Sequence, residues 1–237
     1  MTHVREHRSV LAAAERRLLI AVARRLPLWM SSDQLTAAAL VSMLLAGPAF
    51  AAIPLTPWAA AVFIALLAVN WFGDSLDGTL ARVRGQQRPR YGYYVDHVID
   101  LAGTTALLIG MAASGVMTPA ISFGVLAGYF LVAAESYLAT HSQGTFRLSF
   151  AGFGPTELRI LLAIGALKIA AAPTVVLAGR EVLLLDIGGA AAIVGFALAF
   201  VVSAVRNGRA LFALEPLPTP TLQSERGGLG GSRAAAV

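Results

Sequence analysis

Asp74, Asp77, Asp96 and Asp100 fall within 27 residues of a chain that is apolar on either side of them. A carboxylate at the centre of a bilayer-spanning helix costs roughly 2.5–3.5 kcal/mol on insertion scales, and ionisable groups at such depth generally serve function. Asp74, Asp77, Gly78 and Ala81 are spaced i, i+3, i+4 and i+7, so on a helix they share one face. Asp96 and Asp100 are spaced i, i+4 and share a face of their own. Two antiparallel helices joined by a short loop would turn these faces into one oxygen-rich pocket. Hard cations such as Mg²⁺ and Mn²⁺ favour carboxylate ligands and bridge to phosphates. Gly78 and Ala81 leave room beside the acids, and Arg82 offers a planar fork to a phosphate. Metal, phosphate-directed arginine and a spare carboxylate able to take a proton together point to phosphoryl transfer.

The rest of the chain must hold these residues in a membrane. It has 237 residues, 57% of them hydrophobic and 13% charged, against about 25% charged in soluble domains. The absence of cysteine excludes disulfides, cysteine-ligated zinc and thiol catalysis. The net charge of +5 is almost wholly arginine, Lys168 being the only lysine. These arginines lie between apolar runs, which fits membrane orientation and not nucleic-acid binding. Six apolar spans are predicted, at about 34–53, 58–80, 93–115, 119–140, 156–174 and 184–205, each near the ~20 residues a crossing helix needs. Arg5, Arg8, Arg16, Arg17, Arg24 and Arg25 precede the first span. Arg82, Arg84, Arg88 and Arg90 lie at the second loop, Arg147 and Arg159 at the fourth, and Arg206, Arg209, Arg226 and Arg233 in the tail. The first and third loops carry no Lys or Arg and the fifth only Arg180. The positive-inside rule then predicts that both termini and the acid ends of the second and third spans are cytoplasmic.

Residues 11–26 place Leu11, Leu18, Leu19, Val22 and Leu26 on one side of a helix and Arg16, Arg17, Arg24 and Arg25 on the other. This is the pattern of an interfacial amphipathic helix lying on membrane lipids. The tail from Pro216, rich in Pro, Gly, Ser and Ala, has the composition of a disordered segment. The predicted fold is therefore an all-α integral membrane protein with six transmembrane helices and an N-terminal interfacial helix. Its expected parts are residues 1–29 (interfacial), 30–210 (catalytic) and 211–237 (flexible tail).

The pattern Asp74-x₂-Asp77-Gly78-x₂-Ala81-Arg82 followed by Gly92-x₃-Asp96-x₃-Asp100 resembles the signature of the CDP-alcohol phosphotransferases, with every fixed position present. Nine residues separate Arg82 from Gly92, a gap longer than is usual there. The resemblance implies that Asp74, Asp77 and Asp96 hold metal, with Asp100 adding to a second Mg²⁺ or Mn²⁺ site. It also implies that Asp100 is the base activating the acceptor alcohol, and that Gly78, Ala81 and Arg82 receive the CDP moiety. The hydroxyl attacks the β-phosphorus and CMP leaves. The implied partners are a CDP-linked donor and an alcohol acceptor, one of them a lipid, in a homodimeric enzyme.

Asp96-His97-x₂-Asp100, with Glu135-Ser136-Tyr137, Gly144-Thr145 and Gly154-Pro155-Thr156-Glu157, is similar to segments of the choline and ethanolamine phosphotransferases. CDP-diacylglycerol and a CDP-linked head group both stand as donors. A rival reading, a divalent-cation transporter or metal-binding membrane protein, uses the same carboxylates but needs no Gly78, Ala81 or Arg82. Several other polar groups have ordinary explanations. Asp33 is expected to cap the first span, and His97 to face a neighbouring helix. Asn70 is expected to pack. Glu135 either contacts a head group or bonds to another helix. Arg147, Glu157 and Arg159 form either a site for a lipid phosphate or a surface pair.

Overall fold

The computed structural model describes residues 12–143, 155–215 and 217, with side chains from Arg17 onward. Seven helices follow one another: α1 (Ala12–Arg25), α2 (Ser32–Ala51), α3 (Trp58–Val83), α4 (Pro89–Ala113), α5 (Pro119–Gln143), α6 (Pro155–Ala171) and α7 (Leu184–Leu214). Proline stands at the first position of α4, α5 and α6. There its missing N–H costs nothing and its fixed φ suits the helix. Five helices, α2, α3, α4, α5 and α7, are long and apolar enough to cross a membrane. The fifth predicted span, 156–174, corresponds to α6, which has 17 residues, about 25 Å at 1.5 Å per residue. It starts directly after residues 144–154, which lie outside the described residues.

Two short strands depart from the all-α expectation. β1 (Thr174–Leu177) and β2 (Arg180–Leu183) pair antiparallel between α6 and α7, in register Thr174↔Leu183 to Leu177↔Arg180. The turn residues Ala178 and Gly179 have φ of 50° and 78°, the two left-handed residues of a tight hairpin turn. The Val175-Val176-Leu177 run lies just past the predicted span 156–174, and its β-branched residues suit a strand.

α2 is the centre of the bundle, packed on both α3 and α4, while α3 and α4 make little contact with each other. α5 packs on α4 and α7, and α6 on α3. At the α2–α4 crossing, a Cβ on Gly110 would run into the backbone of Gly47, and a Cβ on Gly47 into the carbonyl of Ala106. On α3, a Cβ at Gly73 would lie 2.5 Å from the Leu35 carbonyl of α2. Hydrogen would be the only side chain each of these contacts admits. Beyond them Phe50 and Phe63 meet edge to face at 5.1 Å, within a core that includes Ile53, Leu67, Leu107 and Met111. Leu44, Val62, Ile109 and Leu198 are exposed on the outside of the helices, as residues facing lipid are.

α1 packs on α3, where Leu19 and Ala23 join Leu35, Leu76 and Leu80 in a second cluster. Arg17, Arg24 and Arg25 are exposed. The expected two-sided pattern is present, although Leu18, predicted on the apolar side, is 54% exposed. Arg84, just past α3, donates to the carbonyls of Met30, Leu26 (3.1 Å) and Pro27 (2.8 Å). That guanidinium satisfies carbonyls left open after α1 ends. The predicted flexible tail lies outside the described residues apart from the end of α7.

Candidate active site

The acids line a cleft between α3 and α4 that is floored by α2. Both helices lean on α2 and hardly on each other. Asp74, Asp77 and Asp96 are partly buried and Asp100 is exposed. Asp74 and Asp96 lie within electrostatic reach of Asp77. Tyr129 and Tyr137 of α5, which packs on α4, lie within electrostatic reach of Asp96 and Asp100.

Each acid on α3 holds partners from other elements. Thr36 of α2 donates to Asp77 Oδ2 at 2.6 Å, and the Gly78 N–H donates to Asp77 Oδ1. Ser32 donates to the Asp77 carbonyl at 2.9 Å. Asp74 accepts from Arg159 of α6, Nη2 to Oδ2, at 2.7 Å. The same guanidinium donates through Nε to Asn70 Oδ1 at 2.8 Å, and Asn70 Nδ2 donates to the Ala39 carbonyl at 3.1 Å. Asn70 therefore does more than pack, and Arg159 is an interior ion pair in place of a surface one. Arg147 lies outside the described residues.

Around the motif, Arg82 is exposed and its Nη2 donates to Thr79 Oγ1 at 3.0 Å. Its Nη1 would lie 3.4 Å from a Cβ on Gly78, and nothing within 4 Å would meet one on Gly92. Gly92 borders open space, and Gly78 faces only the end of the Arg82 side chain.

The N-cap of α2 is Ser31, not Asp33. Ser31 and Gln34 form a reciprocal capping box, Gln34 N to Ser31 Oγ at 3.2 Å and Ser31 N to Gln34 Oε1 at 2.8 Å. The Ser-x-x-Gln spacing carries that signal. Asp33 instead pairs with Arg88 in the α3–α4 loop, a hydrogen bond that raises the guanidinium pKa above its ordinary value. Arg88 also lies 4.2 Å over the Tyr91 ring.

His97 faces α5, as expected. Its Nδ1 lies 2.6 Å from the Tyr93 carbonyl and its ring meets Tyr137 at 5.0 Å. A carbonyl only accepts, so Nδ1 carries the hydrogen. Glu135 accepts from Asn207 of α7 at 2.7 Å, in a mostly apolar groove of about 450 Å³ between α5 and α7.

The donor set suits a hard divalent cation by its chemistry: carboxylate oxygens from adjacent helices, close enough to repel one another. Among the described residues no three such side chains already converge on a common point. An ion shared by Asp74 and Asp77 would lie beside the bonds these acids hold to Arg159 and Thr36.

The CDP-alcohol phosphatidyltransferase family matches residues 29–206, well over half of the chain and all of this cleft. The chain belongs to that family. It is thus a phosphotransferase enzyme of membranes, and the transporter reading falls away. The chain is 32% identical over 107 residues to an archaetidylinositol phosphate synthase of Pyrococcus horikoshii. That match covers 44% of this chain and 56% of the relative, so it spans little more than half the relative's length. The fold is similar to that of a Mycobacterium tuberculosis phosphatidylinositol phosphate synthase solved with CDP-DAG bound. That likeness has a TM-score of 0.57, 17% identity, and covers 86% of this chain and all of that one.

Proposed function

We propose that this enzyme transfers the phosphatidyl group of a CDP-activated diacyl lipid to the hydroxyl of a small phosphorylated polyol of the inositol phosphate type, releasing CMP. The observation that carries the reading is the gathering of the acids on α3 and α4, with Asp74 and Asp96 acting on Asp77, Arg82 beside Gly78, and open space at Gly92. The names of the two similar synthases support the acceptor class and, for the solved one, the donor.

Arg82 is the residue to hold the diphosphate, its fork lying beside Gly78, where no side chain blocks a nucleotide. Ala81 keeps the same face low. Asp74, Asp77 and Asp96, with Asp100, would hold Mg²⁺ or Mn²⁺, which supplies charge neutralisation for the diphosphate and the departing CMP. Asp100, exposed at the cleft, takes the proton of the acceptor hydroxyl. The hydroxyl oxygen forms a bond to the lipid-bearing β-phosphorus, the bond from that phosphorus to the CMP oxygen breaks, and a phosphodiester results. Thr36 fixes the Asp77 carboxylate against α2 by its 2.6 Å bond.

The alternating arginines support a cytoplasmic cleft and cytoplasmic termini, and the resemblance supports a homodimer. The exposed arginines of α1 support an interfacial role for residues 1–29 against lipid head groups, with residues 30–210 as the catalytic part. His97, engaged by Tyr93 and Tyr137, gives no support to a head-group donor.

The test is release of CMP by the purified enzyme from CDP-diacylglycerol with inositol phosphate, glycerol phosphate or serine, and then from CDP-choline or CDP-ethanolamine with diacylglycerol. Turnover is expected with the first donor and inositol phosphate. Turnover confined to CDP-choline or CDP-ethanolamine would reverse the assignment of donor and acceptor.

A further inference from the structure

Arg159 does something in the cleft that the transfer reaction does not ask of it. It arrives from α6, 85 residues along the chain from Asp74, and bonds that acid at 2.7 Å. The two side chains are 17% and 24% exposed, so the pair is shielded from the water that weakens surface ion pairs. Its placement is braced. Nε is tied to Asn70 Oδ1, and Asn70 is itself tied through Nδ2 to the Ala39 carbonyl, so three helices fix one guanidinium. Asn70 and Asp74 are i, i+4 on α3, which sets both acceptors on the face that Arg159 meets.

That face carries a surplus of negative charge. Asp74 and Asp96 both act on Asp77, and like charges at such range are costly when no cation is present. We propose that Arg159 is a resident counter-ion: it neutralises Asp74 before a divalent metal arrives, and it must give up that carboxylate for the metal to bind fully. Asn70 is the brace that keeps Arg159 in place, so both are positioning residues. This inference rests on the reading of Asp74 as a metal ligand. One positive charge next to an incoming divalent ion weakens its binding, and the ion in turn frees the guanidinium. The pair therefore sets how tightly the empty enzyme holds metal, separately from the transfer step.

The test is Mn²⁺ binding to the full-length, detergent-solubilised protein without nucleotide, read by electron paramagnetic resonance. Arg159→Gln is expected to bind Mn²⁺ about tenfold or more tightly than wild type (about 1.4 kcal/mol) and to melt at a lower temperature in chelator. Arg159→Lys, which keeps the charge, is expected to stay near wild type. Arg159→Gln binding no tighter than wild type, or more weakly, would overturn the counter-ion role, because the guanidinium would then share Asp74 with the ion. Asp74→Asn separates the two readings. If it binds Mn²⁺ as well as wild type, Asp74 is no ligand. If it binds weakly while Arg159→Gln is unmoved, only the counter-ion role fails. Should Arg159→Gln not accumulate, Asn70→Ala decides: it leaves every charge in place and loosens the guanidinium, so tighter Mn²⁺ binding supports the role and unchanged binding removes it.

Discussion

Gly47 and Gly110 bring α2 and α4 together backbone against backbone, whereas at the acid ends of α3 and α4 Gly78 faces only the end of the Arg82 side chain and Gly92 borders open space. The same residue type thus marks two opposite regions. At the α2–α4 crossing a missing side chain is filled by another helix, and the space is dry and close-packed. At the acids no other helix fills it, and only the end of the Arg82 side chain comes near Gly78. A glycine in a helix interior gives up about 1 kcal/mol against alanine. The crossing recovers that loss through packing, and the cleft has no such recovery within the protein. What the cleft gains must come from a ligand.

The contrast can be broken most sharply at the acids. Asp100→Asn is expected to slow CMP release by about 10²–10⁴-fold while the thermal midpoint of the purified protein stays where it was. Rapid turnover in that variant would remove Asp100 as the base. At the crossing the expected order is reversed. Gly110→Val should cost about 3 kcal/mol of stability through overpacking, seen as a lowered unfolding midpoint, and lose activity only as the fold is lost. Gly78→Ala sharpens the comparison because its two effects have opposite signs. It should leave stability equal or higher by about 1 kcal/mol and weaken CDP binding about tenfold, measured by thermal shift with nucleotide. Equal CDP binding in Gly78→Ala would mean the open space is incidental. The smallest effect is expected from Thr36→Val, which deletes the donor to Asp77 Oδ2. A lost hydrogen bond of this kind is worth about 1 kcal/mol, a severalfold fall in turnover without loss of fold.

The acid motif was legible in the sequence because helical periodicity alone puts Asp74 with Asp77 and Asp96 with Asp100. The spans were legible because lipid demands long apolar runs. What the sequence concealed has physical reasons. Arg159 reads as one more arginine beside a span, since nothing local distinguishes an inward guanidinium from a topological one; its partner lies 85 residues away. The β1–β2 hairpin falls in the loop left between the last two predicted spans, and four-residue strands are too short to announce themselves by periodicity. The expectation that α3 and α4 would pack together followed from their short loop. In the structure both lean on α2 instead, and only that third helix explains why the acids stand across a cleft. Asp33 seemed the natural cap by residue type, but the Ser31–Gln34 pair completes two bonds where Asp33 would make one.

Arg84 bears on where this protein can be shortened. The region of family likeness starts at residue 29, which invites a trimmed chain beginning there. Yet two of the carbonyls that receive the Arg84 guanidinium belong to Leu26 and Pro27, upstream of that boundary. A chain cut at residue 29 would leave a permanently charged group at the end of the acid-bearing helix with one acceptor in place of three. The smallest autonomous piece is therefore larger than the stretch that evolutionary comparison outlines, and its border lies before Leu26 rather than at residue 29.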